Sequence, residues 1–180
     1  MKIKNIFKHF FLITKHKYKV FILCVKAGIP FRGLMHDLSK YSPTEFFESV
    51  KYYSGKYSPI ANSKRENGYS KAWLHHFGRN KHHHEYWYDY TSPDSTPVIP
   101  YKYTIEMICD DLAAGMTYQG KEWTKEYQLG YWNKKKTKIR INKKIENILD
   151  EVFSEVAEKG IDKVIRKDNL KKIYYKHTRD

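Results

Sequence analysis

Apolar residues recur along this chain at helical spacing almost from end to end. Ile13, His16, Val20, Leu23 and Ala27 follow steps of three and four and share one helix face. Gly28, with Pro30 just beyond, predicts where that helix stops. The short segment FRGLMHDLSKY follows, then Ser42-Pro43-Thr44-Glu45. Serine at the N-cap, proline at the first helical position and glutamate at the third form a capping-box signature, which predicts a helix to about Tyr53. Residues 54–69 are polar and punctuated by glycine and serine, so they read as a loop. Ser70 can cap the next helix, which opens the stretch WLHHFGRNKHHHEYW at 73–87. The three prolines of TSPDSTPVIP, residues 91–100, predict another loop. A helix from about Tyr103 to Tyr118 follows, with Ile105, Ile108, Leu112 and Ala113 on its apolar side and Glu106 and Asp110 one turn apart. Ile141, Ile145, Ile148, Val152 and Val156 mark an amphipathic helix, and the last twenty residues are basic and partly helical. Strand patterns compete only in short pieces near Val98–Ile99 and the C-terminus. The expected fold is therefore all-α, one helical domain over residues 1–180, in which 133–180 form a basic helical extension.

Composition sets the class. The chain has 180 residues, 41% of them hydrophobic, which is enough for one domain with a core. No apolar run approaches the roughly 18 residues of a membrane span. Lysine and histidine interrupt the apolar part of the N-terminal twenty residues, a poor signal peptide and a better amphipathic helix. Cys24 and Cys109, the only cysteines, sit in apolar stretches and suggest no disulfide framework, so a cytoplasmic location is expected. The formal charge is +14, and residues 133–180 concentrate 15 basic against 8 acidic side chains, including Lys134-Lys135-Lys136. Such a surface suits phosphate-bearing partners, nucleic acid among them, although a solvated lysine face accounts for it equally well.

The candidate chemistry lies in histidines and carboxylates. Five of the nine histidines fall within residues 73–87: His75, His76, His82, His83 and His84. On a continuous helix His76, Asn80 and His83 share a face, and His75 and His82 share its neighbour. If Gly78 breaks the helix, His82 and His83 can both turn inward. His36-Asp37 places an imidazole beside a carboxylate, able to grip one divalent metal or to split between two, with Lys40 three residues later. Asp110 lies on a helix that is otherwise apolar on one side (Ile105, Ile108, Leu112, Ala113). A single helix histidine is ordinarily a core or capping residue; the set taken together argues for a metal centre.

The order His16, His36-Asp37, His76, His82-His83, Asp110 resembles the HD superfamily of metal-dependent phosphohydrolases. More narrowly, the chain resembles a small bacterial family of unknown function on that fold. The hallmarks are H-K-x-x-V (16–20), AGIPFRGLMHDLSKYSPTEF (27–46), AWLHHFGRNKHHHEYW (72–87) and EMICDDLAAG (106–115), over about residues 10–130. Some members carry a catalase label, but no haem-ligation logic is present here. The resemblance implies an HD-like helical bundle with metal held between facing helices. His16, His36, Asp37 and Asp110 would hold one ion; His76, His82 and His83 would add a second, with Asp37 bridging. The metals would be one or two divalent transition ions: iron, manganese, zinc or nickel. His75 and His84 are left out, and Asp110 is preferred to Asp111.

In that reading Lys40 and Arg79 neutralise phosphoryl oxygens, while Asn80 donates to a phosphate or orients a ligand histidine. Asp37 acts at the centre of the catalytic set. Glu45 and Glu66 are weaker candidates for supporting roles. The expected activity is hydrolysis of a nucleotide or other small phosphoester. Two alternatives stand beside it: a di-iron oxygenase on the same fold, and a non-catalytic module that binds metal, nucleotide or nucleic acid.

Overall fold

The computed structural model describes residues 3–55 and 57–179. They form helices and turns, and among the described residues there is no strand. The helices are α1 (Ile3–Lys26), α2 (Pro30–Met35), α3 (Pro43–Lys51), α4 (Pro59–Asn67), α5 (Lys71–Phe77), α6 (Tyr101–Gln119), α7 (Tyr127–Lys135), α8 (Lys143–Lys159), α9 (Ile161–Val164) and α10 (Lys167–Thr178). No helix among them is long and apolar enough to cross a membrane.

The long helix α1 packs along α6 and carries α2 on its side. Its buried stripe, including Ile13, His16, Val20 and Leu23, is the one read from the spacing. Gly28 ends the helix at a positive φ of 76°, a conformation that costs glycine nothing. Gly33 lets α2 lie directly on α1: a Cβ there would come within 2.6 Å of the Cys24 side chain and 3.0 Å of the Phe21 backbone. The Lys17 ammonium then closes the joint, donating to the carbonyls of Leu34 and His36 at 2.5 and 2.6 Å. One apolar core runs from Val20 of α1 through Ile105, Ile108 and Leu112 of α6 to the α8 stripe and Leu170 of α10. Residues of the basic C-terminal stretch thus build the same core as the rest. Each fully buried side chain such as Phe153 or Leu149 contributes roughly 1.5–3 kcal/mol before entropy is set against it.

Two local expectations are corrected. Residues 54–69 contain α4. Its punctuation was there to read, with Ser58-Pro59 at the start and Gly68 in the left-handed region at the end. It lacks an apolar stripe, however, burying only Pro59 and Ser63. Polar bonds hold it instead: the Glu48 carboxylate accepts from Ser63 at 2.9 Å and from Ser70 at 2.6 Å. The second correction concerns the strand-like pieces. Val98–Ile99 forms no strand: the Ile99 carbonyl accepts from the hydroxyls of Thr104 and Tyr174, both at 2.9 Å. The C-terminal piece is α10.

Candidate metal centre

Four segments meet at the polar end of the core: α1, the turn after α2, the α5 segment and α6. Each delivers its groups by a definite local device. His16 comes from the buried stripe of α1. The helix α2 ends at Met35, His36 is extended, and Asp37 adopts a left-handed φ of 52°. Asp37 is the one non-glycine residue among those described with positive φ. The kink matters because neighbouring helical residues diverge by about 100°, whereas here both side chains of the dipeptide reach the same place. Aspartate tolerates this region better than most residues.

The α5 segment uses another break. The helix stops at Phe77, and Asn80 donates its backbone N–H back to the His76 carbonyl at 3.1 Å. His83 in turn donates its N–H to the Asn80 carbonyl. The helix thus yields to tight turns, and His82 and His83 join His76 on one side. Asp110 and Glu106 project from successive turns of α6.

These groups form overlapping clusters whose ligand atoms lie within 4.8 Å of one another. His16, His36, Asp37 and Asp110 form the first; Asp37, His76, His82 and His83 form the second. Asp37 belongs to both. A third grouping, His36, His82 and Glu106, joins the two. All seven side chains expected to bind metal therefore converge. The fit to a cation shows in the atoms facing inward. Nε2 of His36, His76, His82 and His83 and Oδ1 of Asp37 are buried with no hydrogen-bond partner. Nε2 of His76 and of His82 each stand 3.4 Å from Asp37 Oδ1 without hydrogen-bond geometry. Burying several such lone pairs together is expensive, and a divalent ion is what imidazole and carboxylate donors jointly satisfy.

Carboxylates stand behind the outward nitrogens of His36, His76 and His82. Glu106 Oε1 lies 3.1 Å from His36 Nδ1 and 3.2 Å from His82 Nδ1, while its Oε2 accepts from Arg32 at 2.7 and 2.6 Å. Glu45 Oε2 accepts from His76 Nδ1 at 2.8 Å. A carboxylate behind an imidazole fixes its tautomer and turns Nε2 inward, which is how ligand histidines are held. Glu45 thereby leaves its capping-box role half made: Ser42 caps the Glu45 N–H, but the Glu45 carboxylate goes to the histidines.

Charge is balanced by protons in this set. Burial opposes charge on His36, yet Asp37, Asp110 and Glu106 raise its pKa well above the imidazole range. Burial would likewise raise Asp37, but His36, Lys40 and His76 hold it well below the carboxylate range. Lys40 lies 2.8 Å from Asp37 Oδ2, and Asp37 and Asp110 raise its pKa against the effect of burial. Burial, helped by His82 and His76, depresses His83 strongly, leaving it a neutral donor at pH 7. A bound cation would take over the work of these protons.

A family model, a family of unknown function (DUF5662), matches residues 5–155. The chain belongs to the DUF5662 family. All seven converging side chains of this DUF5662 protein lie inside the matched span, and α9 and α10 lie beyond it. No curated protein and no solved structure matches the DUF5662 chain.

The remaining candidates fall into place around the centre. It opens into a cavity of about 640 Å³, whose walls include Lys40, Trp73, Tyr118, Tyr131 and Lys135. The Asn80 amide donates to Ser39 Oγ at 2.8 Å, and Ser39 lies 3.3 Å from His76 Nδ1. Arg79 is not brought to the site; it is exposed, and its guanidinium donates to the His75 carbonyl. His75 bonds Glu45 at 2.6 Å and joins no cluster, and His84 lines the cavity wall beside Glu85. Asp111 pairs with Lys135 at 3.0 Å, so the two adjacent aspartates do diverge. Glu66 is exposed on α4. The sequence reading missed Glu106 and Arg32. The signal for Glu106 was its place one turn before Asp110.

Proposed function

We propose that this protein is a metal-dependent phosphohydrolase acting on a nucleotide or other small phosphoester, on an HD-like arrangement of helices. The observation that carries the reading is the shared carboxylate. Asp37 belongs to two donor clusters at once, with the Lys40 ammonium against its other oxygen, and Lys40, His16, His82, His83 and Asp110 line a cavity large enough for a small substrate. His16, His36, Asp37 and Asp110 would hold one divalent ion, and His76, His82 and His83 would hold a second with Asp37 between them. Bound there, the ions supply Lewis acidity and a water acidified toward neutrality. Lys40 supplies a fixed positive charge where phosphoryl oxygens would enter. Glu106 and Glu45 keep the imidazoles oriented and neutral at Nε2, and Asn80 braces His76 through Ser39. The aromatic walls, Trp73 and Tyr131 among them, offer faces for an apolar or ring-bearing part of the substrate.

The test is hydrolysis of a panel of nucleotides and p-nitrophenyl phosphodiesters with added Mn²⁺. The reading expects turnover that falls at least a hundredfold in Lys40→Met with metal retained. A metal-replete protein inactive on every phosphoester would refute it. The same donors suit a pair of irons that activate dioxygen, because mixed imidazole and carboxylate sets bind iron as well as manganese. A mixed-valent iron resonance, with consumption of dioxygen, would favour that second reading.

A further inference from the structure

We infer that the outer face of α1 and α2 docks on the surface of an anionic lipid bilayer. The long helix α1 has two apolar faces. One carries Ile13, His16, Val20 and Leu23 into the core. The other, half a turn away, carries Phe7, Phe11, Tyr18 and Val25, spaced four, seven and seven apart, and leaves them exposed. Beside it α2, seated on α1 through Gly33, leaves Phe31 and Leu34 exposed as well. Phe7, Phe11, Tyr18 and Phe31 are 60, 66, 64 and 69% exposed. At about 200 Å² per aromatic side chain, these four alone present about 500 Å² of side-chain surface. That already approaches the upper end of the roughly 300–600 Å² seen for the largest apolar patch on a typical monomer.

The charge around this face selects the occupant. Residues 1–36 contain eight lysines and arginines and no acidic residue; Asp37 is the first in the chain. Lys4, Lys8, Lys15, Lys19 and Lys26 fall along one flank of the exposed stripe by helical spacing. Lys4, Lys8 and Lys15 have no ion-pair or hydrogen-bond partner among the described residues, whereas Lys26 is paired with Asp162 and Lys19 with the Met116 carbonyl. Apolar and aromatic side chains bordered by unpaired lysines, on a helix lying flat along the molecule, suit the headgroup boundary of an anionic bilayer. A second copy of this chain is the poorer occupant, because the same face on a partner brings more lysines and no carboxylate from residues 3–36. The metal centre lies on the opposite side of α1, so this surface works independently of the chemistry there.

The experiment is co-sedimentation of the full chain with vesicles of phosphatidylcholine, alone or mixed with phosphatidylglycerol. Binding is expected to the mixed vesicles, weakening as salt rises, and not to phosphatidylcholine alone. Phe7→Ser with Phe11→Ser is expected to abolish it, with circular dichroism confirming the fold. Lys4→Gln, Lys8→Gln and Lys15→Gln together keep the apolar stripe and are expected to weaken binding by roughly fivefold per lysine, the factor that corresponds to about 1 kcal/mol per basic residue near such a surface. Equal binding to both vesicle types, or folded variants that bind like the parent, would overturn the inference. So would a chain that ignores vesicles but forms a dimer dissolved by the Phe7 and Phe11 substitutions.

Discussion

Glu106 ties the two donor clusters together, and replacing it with glutamine isolates that function. The carboxylate is fully buried, with Arg32 on one oxygen and His36 and His82 facing the other. Glutamine keeps the shape but replaces an acceptor by an amide N–H₂, so one side of the fork confronts donors with a donor. Removing one partner of a buried ion pair costs on the order of 3–5 kcal/mol. An independent route gives a similar figure. Burial would raise the Glu106 pKa, but hydrogen bonds from His36 and His82 lower it from 4.5 to about 2. At 1.36 kcal/mol per pKa unit, that difference is worth about 3 kcal/mol. Because the folded pKa is depressed, this stability is fully present above pH 4.5 and is lost as pH falls toward 2. In chelator-treated protein, Glu106→Gln is therefore expected to lower the melting temperature by roughly 6–12 °C at pH 7, at 2–4 °C per kcal/mol for a chain of this size. The gap to the parent should narrow as pH is lowered from 5 toward 3. In metal-replete protein the same change should weaken metal affinity roughly 10–100-fold. Thermal scans by circular dichroism across that pH range measure the first effect, and competition with a chromophoric chelator measures the second. A variant as stable as the parent at pH 7 and equal in metal affinity would refute the orienting role of Glu106.

Other substitutions probe separate parts of the account. Gly33→Ala should destabilise by about 1–3 kcal/mol in urea titrations, since its methyl meets the Phe21 backbone and Cys24 where neither can readily yield. Glu45→Gln should reduce metal affinity on the order of tenfold, read by the same competition assay, because it leaves His76 without its carboxylate. Trp132→Phe should cost about 2–3 kcal/mol in chemical denaturation, from lost volume and the 2.6 Å bond to Asp150. Arg79→Ala should change stability by less than about 0.5 kcal/mol and leave metal content unaltered, as befits an exposed side chain turned from the cavity.

What could be read in the sequence was what hydrophobic periodicity and helix punctuation encode. The α1, α6 and α8 stripes announce their buried faces, and Ser42-Pro43 and Gly28 mark ends the structure keeps. The histidines and aspartates that converge were visible as residue types in order, and their order resembled a known metal-binding pattern. How they converge was not visible. It depends on a left-handed Asp37 and on turns after Phe77, and no periodicity signals either. Helix α4 escaped because polar bonds to Glu48 replace the apolar stripe on which pattern reading relies. Arg79 was expected to neutralise a phosphate, whereas it lies exposed in the turns that follow α5. Glu106 was overlooked because a buried carboxylate among apolar neighbours shows its purpose only once Arg32 and His36, from α2 and its end, and His82, from the segment after α5, arrive beside it.

The most direct measurement is the metal stoichiometry, by inductively coupled plasma mass spectrometry, of protein purified without chelator. The account predicts about two transition-metal ions per chain in the parent, and about one in each of His16→Ala and His83→Ala. Asp37→Asn, which keeps a side chain tolerant of the left-handed conformation, should fold and lose both. A folded Asp37→Asn protein that retains the parent's metal content, or a parent with no bound transition metal, would contradict a centre built around Asp37.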